Sequence, residues 1–114
     1  MIQRFEVGPR LSEMAVHNGV AYLAGQVAED EGQDIRGQTR QVLAAIDALL
    51  AQAGTDKSKV LRAEIYLKDI TDFTGMNQVW DEWVAPGHAP PRATVQARLA
   101  DAEWRVEIVI TAAV

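Results

Sequence analysis

Cysteine is absent from the 114 residues, which excludes disulfides, thiolate metal sites and thiol nucleophiles together. Histidine is scarce. His17 and His88 stand alone and give no metal-ligand spacing. The two serines, Ser12 and Ser58, sit in no nucleophile elbow, and no GxGxxG or other phosphate-cradling loop is present. Basic residues are outnumbered, 11 Lys plus Arg against 16 Asp plus Glu, for a net charge of −5. A nucleic-acid module normally carries the opposite balance on one face. No apolar run approaches the ~18 residues of a membrane span. Residues 1–6 lack the apolar stretch of a signal peptide, so the expectation is a soluble cytoplasmic protein. What is there is 48% apolar sequence without repeats or linkers, enough for one domain spanning residues 1–114.

The C-terminal end carries the strongest pattern. In 92–99, Ala93, Val95, Ala97 and Leu99 alternate with Arg92, Thr94 and Gln96; in 105–112, Val106, Ile108, Ile110 and Ala112 alternate with Glu107. Period two is the signature of half-buried strands. Upstream, Asn18-Gly19 separates two apolar runs, a hairpin signal because both residues tolerate the positive φ of a type I′ turn. Residues 1–7 are weakly patterned and fit an edge strand. Gly25 ends the second hairpin strand, either as a plain strand terminus or to clear the backbone for a close approach.

Residues 34–53 turn helical, with Ile35, Val42, Ile46, Leu49, Leu50 and Ala53 on one face, Gly54 as the stop and Asp47 on the solvated side. Residues 60–67 form another strand: Leu61, Ala63, Ile65 and Leu67 share one face, Arg62, Glu64 and Tyr66 the other. Thr71 or Asp72 caps a second helix in which Phe73, Met76, Trp80 and Trp83 follow helical spacing and read as core. Pro86-Gly87 ends it. The predicted order is β-β-α-β-α-β-β, an α+β fold with two helices on one face of a sheet whose polar face meets a partner subunit.

The best chemical lead is Arg92, after two prolines, with Glu107 on the following strand. Matching apolar faces in a hairpin sets Ala97 opposite Val106 and Val95 opposite Ile108, with Glu107 facing Gln96 and Thr94 diagonal to it. Arg92 then falls near Thr111, about 13 Å from Glu107 at ~3.4 Å per residue. The two would cooperate only across a subunit boundary. A guanidinium fork suits a carboxylate, a Thr94 hydroxyl donates one hydrogen bond, and a glutamate orients or deprotonates water. Asn77 falls on the second helix, where a polar surface position is the default.

Taken together, Tyr22-Leu23-Ala24-Gly25-Gln26-Val27, Asp72-Phe73-Thr74-Gly75-Met76-Asn77, Pro91-Arg92-Ala93-Thr94-Val95 and Val106-Glu107-Ile108 resemble the RidA/YjgF family over nearly the whole chain. The most specific part is Pro-Arg-x-x-Val, with Glu107 15 positions after Arg92. The resemblance implies a chorismate-mutase-like homotrimer with a central barrel and clefts between subunits. It implies hydrolysis of reactive enamines and imines, such as 2-aminoacrylate and 2-iminopropanoate, to 2-keto acids and ammonia, with no metal or organic cofactor. Arg92 would hold the substrate carboxylate and Glu107 the water. Thr94, Gly25 and Asn77 would line the cleft, with Ala93 as the small residue beside Arg92. Two positions depart from the pattern: Leu11 falls where the family's tyrosine is expected, and Ala24 where its serine is.

The competing reading is a trimeric binder of small carboxylates or keto acids without turnover, favoured by Leu11 and Ala24. Retention of both Arg92 and Glu107 favours the enzyme, since a pure anion binder has no need of the carboxylate. The older ribonuclease label finds neither a basic groove nor paired histidines here.

Overall fold

Period-two segments become six strands and the two 3.6-period stripes become two helices. The computed structural model describes residues 1–114. The elements are β1 (Gln3–Val7), β2 (Ser12–His17), β3 (Val20–Leu23), α1 (Ile35–Gln52), β4 (Val60–Leu67), α2 (Phe73–Trp83), β5 (Arg92–Gln96) and β6 (Val106–Ala113). The weakly patterned N-terminus does form a strand, adding one to the front of the expected order. All six join one sheet in the order β1-β2-β3-β6-β4-β5.

The first hairpin forms where its turn residues require, with Asn18 at φ 51° and Gly19 at φ 77°. Helix α1 starts at Asp34, whose side chain accepts from the Gly37 N–H, and stops before Gly54 at φ 76°. Its buried stripe includes the expected Ile35, Val42, Ile46, Leu49 and Leu50. At α2 the expected cap is displaced. Asp72 makes no side-chain cap bond, and Asp69 instead caps a short 3₁₀ turn, Ile70–Asp72, that leads in.

Helix α1 packs on β6 and β3 and against α2, enclosing 21 buried apolar residues. Every second residue of β6 enters this core: Val106, Ile108, Ile110 and Ala112 are fully buried. Each of the larger three contributes about 1.5–3 kcal/mol by leaving water. The sheet's other face is open.

The terminal hairpin does not form. β6 runs antiparallel between β3 and β4, and β5 lies parallel to β4 at the sheet edge. Alternation fixes which residues share a face but not which strand is the neighbour. A strand with four fully buried residues takes the centre, where two ladders satisfy its backbone. The expected faces of β5 are also exchanged. Arg92 and Thr94 lie in rows with Ala63 and Ile65 on the helix side, while Ala93 and Val95 lie in rows with Glu64 and Tyr66 on the open side. Val95 stays 47% exposed, as an edge position tolerates. In β4 a bulge between Val60 and Arg62 buries Val60 and turns Leu61 outward, against the expected face.

Candidate functional site

On α2, Phe73, Asn77 and Trp80 are spaced four and three residues apart and form one stripe. That stripe receives Arg92. The guanidinium carbon lies 5.2 Å from the Trp80 ring centroid and 5.8 Å from that of Phe73, within cation–π range. The aromatics expected as core divide their work. Trp80 and Trp83 are buried, with the Trp83 indole N–H donating to the exposed Asp47 carboxylate, but Phe73 and Trp80 also form the platform for Arg92.

The chain's two ion pairs are Arg62–Glu64 and Arg105–Asp72, so Arg92 has no carboxylate partner. Burial lowers its pKa and the Asp81 charge partly opposes this. The guanidinium remains charged in any case. Two further polar atoms on this side, Asn77 Oδ1 and Thr94 Oγ1, are buried without a hydrogen-bond partner. A buried acceptor or hydroxyl left alone costs about 1–3 kcal/mol. Asn77 is therefore not the surface residue its helix position suggested by default.

Glu107 stands on the open face, across the ladder from Tyr66. Between the pairs Tyr22↔Thr111 and Gln26↔Ile108, the β3 side contains one residue more than β6. This bulge lays Gly25 against the Glu107 side chain. A Cβ on Gly25 would come within 2.8 Å of Glu107 Cδ and collide with the carboxylate. What approaches this glycine is thus the site's own glutamate. Glu107, Tyr66, Arg98, Leu99 and Val109 are among the residues lining an open depression of about 350 Å³.

Arg92 shares a row with Ala63 and Ile110, three residues along β6 from Glu107 and two strands away. Standard spacings give roughly 10 Å in each direction. The two side chains also point to opposite faces, which corrects the same-face expectation. The candidate residues therefore fall into two groups. Arg92, Thr94 and Asn77 face the helix side. Glu107 and Gly25 meet on the open side, and Ala93 is exposed there beyond Glu64 and Tyr66. Ala24 precedes Gly25 and donates its N–H to the Glu13 carbonyl at 2.9 Å. Leu11 is 53% exposed in the β1–β2 turn. His17 and His88 are exposed, and no three His, Asp or Glu side chains converge as metal ligands.

The sequence reading missed Phe73 and Trp80 as the arginine's platform, although their spacing with Asn77 was visible. It also missed Gln38. That side chain is fully buried, its Nε2 near the carbonyls of Glu31, Gln33 and Glu103, its Oε1 accepting from the Arg105 N–H. It ties α1 to the segment between β5 and β6.

An α+β fold with two helices on one sheet face, an unpaired arginine on the edge strand and a glutamate on the open face together define the class of protein. The chain belongs to the YjgF/RutC family, also called Rid. The family model described as Endoribonuclease L-PSP matches residues 1–114. A RutC family protein of Haemophilus ducreyi is 57% identical over 114 residues, covering 100% of this chain and 97% of the relative. The RutC family protein YoaB of Escherichia coli is 46% identical over 113 residues, covering 99% and 98%. A solved structure of a YjgF family member from Neisseria meningitidis superposes with a TM-score of 0.97 at 52% identity, covering 99% of this chain and 94% of that one. No helix of the chain is long and apolar enough to cross a membrane.

Proposed function

We propose that this protein hydrolyses small reactive enamines and imines bearing a carboxylate, of the 2-aminoacrylate and 2-iminopropanoate type, to 2-keto acids and ammonia. The observation that carries the reading is Arg92: a partly desolvated guanidinium, oriented over Phe73 and Trp80, with no anion of its own chain beside it. Such a group binds a substrate carboxylate through two parallel hydrogen bonds. Asn77 Oδ1 and Thr94 Oγ1 supply unpartnered polar atoms on the same side. Glu107 deprotonates a water that adds to the imine carbon; the carbinolamine then releases ammonia and leaves the keto acid. Arg92 and Glu107 act from neighbouring chains of a homotrimer, an assembly the open sheet face and the opposed orientation of the two residues both support. No organic cofactor or metal is required by this chemistry, and the compartment that suits it is the cytoplasm.

The alternative is a trimer that holds keto acids without converting them. Leu11 and Ala24, which bring no hydroxyl near Glu107, favour it. The deciding experiment generates 2-aminoacrylate in situ and follows keto acid release with wild type, Arg92→Ala and buffer. Acceleration by wild type alone supports the enzyme. Equal rates in all three, with keto acid binding detected by calorimetry, select the binder.

A further inference from the structure

Tyr66 carries a hydroxyl on the open face, next to Glu107, that the chemistry above leaves unused. It lies directly across the β4–β6 ladder from Glu107, and such pairs hold their Cβ atoms about 5 Å apart. Both side chains line the same depression. The phenol is not free to swing. Its hydroxyl donates to Glu64 Oε2 at 3.1 Å, and Glu64 Oε1 accepts from Arg62 Nε at 3.1 Å. Arg62, Glu64 and Tyr66 alternate along one strand face, so the strand itself builds this chain of contacts.

With its proton directed at Glu64, the phenol oxygen turns its lone pairs away from that carboxylate, and Glu107 is its neighbour across the ladder. The hydrogen bond to Glu64 and the charge of Glu107 both raise the Tyr66 pKa, so the group stays a neutral hydroxyl wherever enzymes ordinarily work. Leu11 and Ala24 carry no hydroxyl, which leaves Tyr66 as the phenol beside the glutamate.

We infer that Tyr66, held by Glu64, is a positioning residue that fixes the water Glu107 activates. One water proton points to the Tyr66 oxygen and the other to the Glu107 carboxylate. As the water oxygen bonds to the imine carbon, the second proton passes to Glu107 and the C–N π pair becomes a lone pair on nitrogen. Glu107 hands that same proton on to the nitrogen and returns to its carboxylate form. Water plus imine becomes the carbinolamine, with nothing left over. This inference rests on the hydrolytic reading of the site.

The test compares wild type, Tyr66→Phe, Glu64→Gln, Glu64→Ala and Arg92→Ala in the 2-aminoacrylate assay, with thermal melts on each. Tyr66→Phe keeps the ring and is expected to lower kcat between about tenfold and a hundredfold, a loss typical of a misplaced reactant, with KM and Tm unchanged. Glu64→Gln retains a carbonyl acceptor for the phenol and keeps most of kcat, whereas Glu64→Ala behaves like Tyr66→Phe. An active wild type with an equally active Tyr66→Phe overturns the role of Tyr66 and leaves hydrolysis intact. A kcat loss accompanied by an equal fall in Tm also overturns it, as a structural effect. An inactive wild type removes the hydrolytic reading, and the Tyr66 inference falls with it.

Discussion

Arg92 and Glu107 stand on opposite faces of one sheet, separated by two strands and three residues of ladder. No side-chain rotamer brings them to one small molecule within a single chain. Shared catalysis therefore requires two copies, one offering the helix-side edge of β5 and the other its open face. Mixing Arg92→Ala with Glu107→Gln, followed by subunit exchange, is expected to rebuild intact sites. If each site of a closed ring takes one residue from each neighbour, random mixing restores about a quarter of wild-type activity. Activity that stays at the level of the separate variants would mean that the two residues do not meet between chains.

Gly25 tests the other half of the site. Its φ is not in the left-handed region, so alanine suits the backbone there, and the nearest obstacle is the Glu107 side chain. Gly25→Ala is expected to push that carboxylate aside and lower kcat roughly a hundredfold, as loss of a general base does. Glutamate is flexible, so Tm should fall by only a degree or two. A Gly25→Ala protein with normal turnover would show that the carboxylate's seat on this glycine has no catalytic consequence.

Gln38 is expected to matter for stability. Gln38→Leu conserves volume but removes the partner of the part-buried Arg105 N–H and of three carbonyls. A cost of about 1–3 kcal/mol follows from the unsatisfied groups, and a Tm drop on the order of 10 °C in a domain of this size. Differential scanning calorimetry measures it. An unchanged Tm would mean that the 97–105 segment holds its place without this side chain.

Stability should also decline in acid along a defined path. Asp69 accepts from the Thr71 hydroxyl at 2.7 Å and N–H at 2.9 Å. Asp30 accepts from Gln33 and Gly32, and Asp56 from the hydroxyl and N–H of Ser58. In each case the side-chain hydrogen bond, then the backbone one, lowers the pKa below its ordinary 3.8. A folded value below the unfolded one means the native state binds fewer protons. The stabilisation is complete above the ordinary value and disappears as pH falls through the folded one. Asp30→Asn, Asp56→Asn and Asp69→Asn together should flatten denaturant midpoints measured below pH 4 relative to wild type. An equally steep acid limb in the triple variant would assign it to other carboxylates.

Much of the fold was legible because short-range physics dictates it. Asn18-Gly19 could hardly be anything but a tight hairpin turn, and the stripe from Ile35 to Leu50 has one amphipathic solution. The placement of β5 was not legible. Ala93 and Val95 look like core residues by alternation, yet Arg92 and Thr94 face the helices. The deciding term is non-local: the Phe73–Trp80 stripe gives a guanidinium an aromatic bed, and an edge strand tolerates apolar residues in solvent. The β6 position was hidden for a related reason, since no local pattern says that a strand will be threaded between two others. Gly25 was read as a place of close approach, but the identity of its visitor needed the bulge opposite Ile108. Gln38 was invisible because its four partners are scattered from Glu31 to Arg105.

The central place of β6 also constrains the order in which this molecule can be made. The strand follows every other one in the chain, yet it alone joins β1-β2-β3 to β4-β5. Until it emerges and inserts, each half has an unprotected edge: β3 lacks its β6 partner and β4 lacks the neighbour on one side. Such edges are templates for pairing with the wrong chain. Removing β6 would therefore divide the sheet rather than trim it, and the two halves share one cooperative unit only once this strand is in place.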